Sequence, residues 1–216
     1  MLSREELILV KRLRKLVVLA SAYSVFLGLF TIYLAITPVY VVEGVIEGYV
    51  ALTHHELMFY GTPVRCDSLF SVSFLSLPVL MLSTYLIFAG ALTLYLFFSG
   101  RNFNVGVRWL FSGALSILAF SGLFLALIIK VLSAVVTQLS INLNQVTSAG
   151  VLYLGASKVS AVYPAGYLLS PLTVLVMTQT YVILAVATYI HMIVVDENKL
   201  ARSSFYREIK YRVVGS

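Results

Sequence analysis

The sequence predicts an all-α membrane protein, a four-transmembrane-helix bundle carrying a small extracytoplasmic β-sheet built from its two outer loops. Three observations carry this. Hydrophobic side chains make up 60% of the 216 residues and charged ones 11%, with a mean hydropathy of +0.97, whereas soluble domains hold roughly 45–50% apolar and about 25% charged residues. Four apolar runs lack any Asp, Glu, Lys or Arg and are long enough to cross ~30 Å of hydrocarbon as helices: Leu16–Thr37, Phe74–Phe98, Trp109–Ile129 and Pro171–Val195. Between the first two runs, VYVVEGVIEGYVAL (39–52) alternates with a period of two, the mark of a half-buried strand.

The chain reads as one domain: spans at 16–37, 74–98, 109–129 and 171–195, outer loops at 38–73 and 130–170, an inner linker at 99–108 and a tail at 196–216. Orientation follows from lysine and arginine, which accumulate on cytoplasmic flanks. Twelve of the 15 cations fall in the N-terminal flank, the inner linker and the tail, leaving only Arg65, Lys130 and Lys158 for the outer side. Both termini are therefore expected in the cytoplasm of a cell-membrane protein. The net charge of +6 belongs to the inner leaflet rather than to nucleic acid.

Ser3-Arg4-Glu5-Glu6 matches a capping box, in which the serine oxygen takes a backbone N–H and the glutamate reaches back. A helix starting there runs through KRLRK, placing Lys11, Arg12, Arg14 and Lys15 against anionic headgroups at about 1 kcal/mol per cation. A plain topology signal is the competing reading. Ala20-Ser21-Ala22 resembles a signal-peptide cleavage site, but only Leu16–Leu19 precede it as an apolar core, against the 7–15 residues such a segment needs. The first helix is expected to stay.

Within that helix Ala20, Ser24 and Gly28 repeat at spacing four, a small-residue stripe that admits another backbone where lipid supplies no hydrophobic drive. Gly122 and Ala126 repeat the spacing in the third span, as do Ser112 and Ser116. The short linker SGRNFNVGVR predicts an antiparallel hairpin of the second and third spans. Ser170-Pro171 reads as a helix start and Pro78 as a slight kink.

In the first outer loop, alternation puts Val41, Glu43, Val45, Glu47 and Tyr49 on one face and Val42, Gly44, Ile46, Gly48 and Val50 on the other. A helix would instead stack Glu43 on Glu47. With LMFYG returning as a second strand, His54 and His55 fall at the hairpin tip. VLYLGASKVSAVY in the second loop supplies two further short strands. Glu43, Glu47, His54 and His55 are the expected partner contacts.

The stretch THHELMFYGTPVRCD invites a metal reading through His54, His55, Glu56, Cys66 and Asp67. Metal ligands must converge, and adjacent histidines on an extended chain point to opposite sides, so no metal is expected. Cys66 has no partner for an intrachain disulfide. Nucleophile motifs, phosphate loops and dinucleotide fingerprints are missing as well, and neither catalysis nor a cofactor is expected.

Ionisable groups inside the spans mark function by default. Here only His191, near the inner end of the fourth span, falls inside one, and Lys130 flanks the third. Thr178, Gln179 and Thr180 are the one polar cluster in a span, read as a cross-helix hydrogen bond or a pore lining. The tail KLARSSFYREIKYR interleaves cations with aromatics, as an interfacial helix does.

In layout the chain resembles the claudin-type tetraspans, with four spans, inner termini and a β-rich first outer loop. That family's first-loop tryptophan motif and cysteine pair have no counterpart, since this loop has no Trp and only Cys66. The expected role is non-catalytic assembly, as an accessory subunit among other membrane subunits or as a homo-oligomer. An oligomeric channel lined by the fourth span and an outer-face metalloenzyme are the alternatives.

Overall fold

The structure, a computed structural model, describes the backbone of residues 4–44, 46–63, 67–138, 149–154, 157–162 and 170–214, and the side chains of 8–44, 46–63, 69–119, 122–131 and 172–196. Ser3 of the capping box and Cys66 lie outside the described residues, and so does the side chain of Asp67. The chain is mostly helical, with one antiparallel sheet. Helices α1 (Arg4–Ile36), α2 (Asp67–Leu75), α3 (Leu77–Phe98), α4 (Asn104–Gln138) and α5 (Ser170–Val214) alternate with strands β1 (Tyr40–Gly44), β2 (Ile46–Val50), β3 (His55–Phe59), β4 (Thr62–Pro63), β5 (Ala149–Leu154) and β6 (Ser157–Val162).

Among the described residues, three helical stretches are long and apolar enough to cross a bilayer: Ile8–Ile36, Leu69–Phe98 and Leu172–Asp196. A fourth joins them if the two segments of α4, Asn104–Ala119 and Gly122–Val131, count as one span across a 44° bend. Ser121-Gly122 lies at that bend, and such pairs weaken a helix locally. Only 33%, 33% and 22% of the most apolar window in the three helices is buried within the chain. The remainder, including Phe26, Leu29, Tyr33, Met81, Ile183 and Ile190, is exposed apolar surface suited to lipid.

Helix bounds run longer than the apolar runs alone. The second span starts at Asp67 rather than Phe74 and is broken once, at Ser76, with Pro78 in the first turn of α3, where its missing N–H is harmless. α5 continues unbroken from the fourth apolar run through the basic tail to Val214. Helices α1, α3, α4 and α5 pack in a ring in that order.

The sheet order is β4-β3-β2-β1-β6-β5, so strands from both loops join through the pairing of β1 with β6, from Val41↔Val162 to Gly44↔Val159. The single strand expected over Val39–Leu52 is corrected: it folds into the β1–β2 hairpin, with Tyr40 opposite Val50 and Val42 opposite Gly48. Gly44, at φ 130°, ends the first strand. A straight strand of that length would run roughly 45 Å, far beyond any bundle end able to cover its apolar face. Because partner positions in the hairpin share parity, the two faces survive the fold-back: Val42, Ile46 and Val50 are buried while Glu43 and Glu47 are exposed.

The buried face of the sheet caps one end of the bundle. Tyr40, Val42, Ile46, Val50 and Leu57 pack with Leu34 of α1, Val72 of α2, Val79 of α3, Phe124 and Leu127 of α4 and Val174 of α5. A second cluster fills mid-bundle around Leu27, Leu86, Leu110 and Tyr181, and a third, around Leu13, Val107, Met192 and Val195, closes the end opposite the sheet.

Candidate functional site

The small-residue stripe of α1 lies against α3. Ala20 and Ser24 are fully buried, and a Cβ on Gly28 would stand 2.6 Å from the Ser83 carbonyl oxygen. Gly90 answers from the other helix, where a Cβ would stand 2.6 Å from the Ser21 carbonyl. Two glycines on antiparallel helices thus admit close backbone approach, the source of packing energy where apolar burial gains little. Gly122 and Ala126 behave differently: among the described residues nothing stands within 4 Å of a Cβ at Gly122, and Ala126 is exposed.

Beside this contact sits a polar junction that joins all four long helices. Ser24 Oγ donates to the Leu86 carbonyl at 2.8 Å and lies 3.4 Å from the Tyr181 hydroxyl oxygen. Tyr181, fully buried, donates to the Leu110 carbonyl at 2.9 Å, and Tyr23 reaches the Met177 carbonyl at 3.3 Å. Each of these three hydroxyls therefore has an acceptor, as burial demands. Charged side chains are kept out: besides the tyrosines, the buried polar residues among those described are Ser21, Ser24, Ser76, Ser83, Thr93 and Thr188.

Tyr181 fixes the rotation of α5 and so decides where Thr178, Gln179 and Thr180 point. At about 100° per residue, Gln179 lies roughly 200° away from Tyr181. Gln179 and Thr180 are exposed on the outside of the bundle, and Thr178 is half-buried beside a small mid-bundle cavity. Both threonine hydroxyls donate to their own helix, Thr178 to Leu175 and Thr180 to Val176. Gln179 makes no hydrogen bond to a described residue and lies in a stripe with Leu172, Leu175, Val176 and Ile183. Sequence reasoning singled out the polar triplet and passed over Tyr181. The missed signal is a spacing of seven: Val174, Tyr181, Thr188 and Val195 are all buried.

At the sheet, Glu43, Glu47 and Glu56 are exposed. The histidine turn is the β2–β3 hairpin loop, and it lies against the bundle, because β2 runs back toward α1 and β3 away from it. Ala51 and Leu52 are buried, and Thr53 Oγ1 donates to the Ala35 carbonyl at the end of α1. His54 is exposed, 2.9 Å from Thr53 Oγ1 through Nδ1 and edge-on to the Tyr49 ring. His55, half-buried opposite Val50, has its pKa held below the usual value of 6.5, first by desolvation and second by His54. Among the described residues no three of His, Cys, Asp and Glu converge as metal ligands.

The far end is basic. Lys11, Arg12, Arg14, Lys15, Arg101 and Arg108 are all exposed there. Asn104 Nδ2 donates to Asp196 at 3.1 Å and ties α4 to α5, while His191 Nδ1 lies 3.0 Å from the Ala187 carbonyl. Among described side chains, the glutamates thus gather at the sheet and the arginines at the opposite end. Compared with protein-family models, curated proteins and solved structures, the chain matches none.

Proposed function

We propose that this chain is a non-catalytic membrane protein that acts by assembly, docking onto other membrane subunits or onto copies of itself, with its basic end and both termini in the cytoplasm. The observation that carries the reading is Gln179, an amide exposed on the outer surface of α5 amid Leu172, Leu175, Val176 and Ile183. Its position, seven residues into a membrane-length helix, lies about 10 Å deep. An amide left unpaired in hydrocarbon costs several kcal/mol, and a neighbouring chain offering a carbonyl or side chain relieves that cost. The open surface at Gly122 and Ala126 and the exposed glutamates of the sheet give further places for a partner to approach.

The test is mass in mild detergent, by native mass spectrometry or light scattering. A defined multimer or a co-purifying subunit, weakened by Gln179→Leu, is the expected result. A folded monomer whose behaviour is untouched by that change overturns the proposal. A channel is the second reading, favoured by the adjacent Thr180: with Gln179 turned outward, its pore would run between copies rather than through one bundle. Reconstituted ion flux abolished by Gln179→Leu separates that reading from silent assembly.

A further inference from the structure

Along the basic end of α1 runs a groove of about 520 Å³, walled on one side by Phe97 of α3. Lys11, Arg14 and Lys15 form its rim, and Val18, Leu19 and Ala22 continue it toward mid-bundle. These positions follow one another at helical spacings of three and four, so they form a single stripe on one face. The stripe changes from cationic to apolar along its length. From Lys11 to Ala22 the helix rises about 16 Å, roughly half the ~30 Å hydrocarbon thickness.

We propose that this groove holds one anionic glycerophospholipid, its phosphate among Lys11, Arg14 and Lys15 and an acyl chain along Val18, Leu19 and Ala22 against Phe97. The proposal rests on α1 spanning a membrane, and not on assembly. Three features select this occupant. None of the described lining residues is acidic, so no described side chain answers the rim's charge from within the groove. The floor is apolar, which suits a chain and gives a free phosphate nothing to touch. Phe97 is braced in place by ring contacts with Phe98 and Phe103, centroids 5.4 and 5.8 Å away.

Arg12 is a built-in control. It belongs to the same basic run but does not line the groove, because one residue along a helix turns it about 100° away from Lys11. A diffuse electrostatic attraction to an anionic surface would treat Arg12 and Arg14 alike. A shaped site does not.

The experiment uses the full chain, delipidated in nonionic detergent and offered phosphatidylglycerol or phosphatidylcholine with identical acyl chains, with bound lipid counted per chain by native mass spectrometry. One phosphatidylglycerol is expected to be retained in preference to phosphatidylcholine. Arg14→Gln lowers its occupancy about fivefold, while Arg12→Gln changes it less than twofold. Ala22→Phe, which fills the floor without altering charge, lowers retention of both lipids. Unchanged thermal unfolding confirms that each variant is folded. Equal effects of Arg12→Gln and Arg14→Gln, equal retention of the two lipids, or displacement by inorganic phosphate as effective as by phosphatidylglycerol each overturn the proposal. Occupancy is read per chain whatever the oligomer, so failure of assembly leaves this result standing. A chain that stays monodisperse in water without detergent removes the membrane premise itself.

Discussion

The Tyr181 hydroxyl donates to the Leu110 carbonyl at 2.9 Å, tying α5 to α4 in the apolar middle of the bundle. Ser24, 3.4 Å from the same hydroxyl and bonded to the Leu86 carbonyl, brings α1 and α3 into the junction. Tyr181→Phe keeps the ring and loses the hydrogen bond, so a loss of about 1 kcal/mol is expected. Tyr181→Ala also empties a fully buried site and is expected to cost about 3–5 kcal/mol. Denaturant titration in mixed micelles measures both, with Tyr33→Phe on the exposed face of α1 as the silent reference.

Gly48 and Gly61 both have positive φ, 138° and 78°, but their surroundings differ. A side chain at Gly48 would fall on the Glu56 carbonyl of β3, whereas no described residue stands within 4 Å of a Cβ at Gly61. Gly48→Ala is therefore expected to break the β2–β3 ladder, seen as faster amide exchange at Tyr49 and Glu56. Gly61→Ala carries only backbone strain, about 1 kcal/mol, and leaves that ladder protected. Equal exchange in the two variants would refute the close approach.

The α1–α3 contact makes a parallel claim about space. Gly90→Leu pushes against the Ser21 carbonyl and the Val25 side chain and is expected to destabilise the chain by about 1–3 kcal/mol. At Gly122 no described residue stands within 4 Å of an added Cβ, and Gly122→Leu is expected to leave unfolding within about 0.5 kcal/mol of the parent. A loss of multimer in Gly122→Leu at unchanged stability would mark that face as a docking surface.

His55 sets a pH dependence. Its folded pKa lies below 6.5, so the unfolded chain binds the proton more readily. Stability accordingly rises with pH through the window between the lowered folded value and 6.5, and is fully present above it. Acidifying from pH 7.5 to 5.5 is expected to loosen the sheet, read by amide exchange in β2 and β3. His55→Gln flattens that response. A dependence that persists in His55→Gln belongs to another group.

What could be read from the residues alone follows from which forces are local. Charge-free apolar runs announce membrane-length helices because hydrocarbon tolerates little else, and strand faces are announced by a period of two. Glu43 and Glu47 are exposed and Val42, Ile46 and Val50 buried, as alternation requires. The hairpin within that segment was not legible, since Gly44 and Gly48 are equally permissive and only contact with the bundle selects the turn. The same limit applies to His54 and His55: a turn can be recognised locally, but whether it faces water or the end of α1 depends on the direction of β2. For α5, polarity drew the eye to Gln179, while the buried seven-residue spacing through Tyr181 records which side faces the other helices.

The pairing of β1 with β6 has a consequence for biosynthesis. The first hairpin emerges from the ribosome long before its neighbour is translated, and until β6 arrives the outer edge of β1 presents unsatisfied amides and carbonyls. A nascent chain halted after α4 would display that edge to any passing strand, its own sibling included, so the interval before the last helix inserts is when this protein is most open to mispairing.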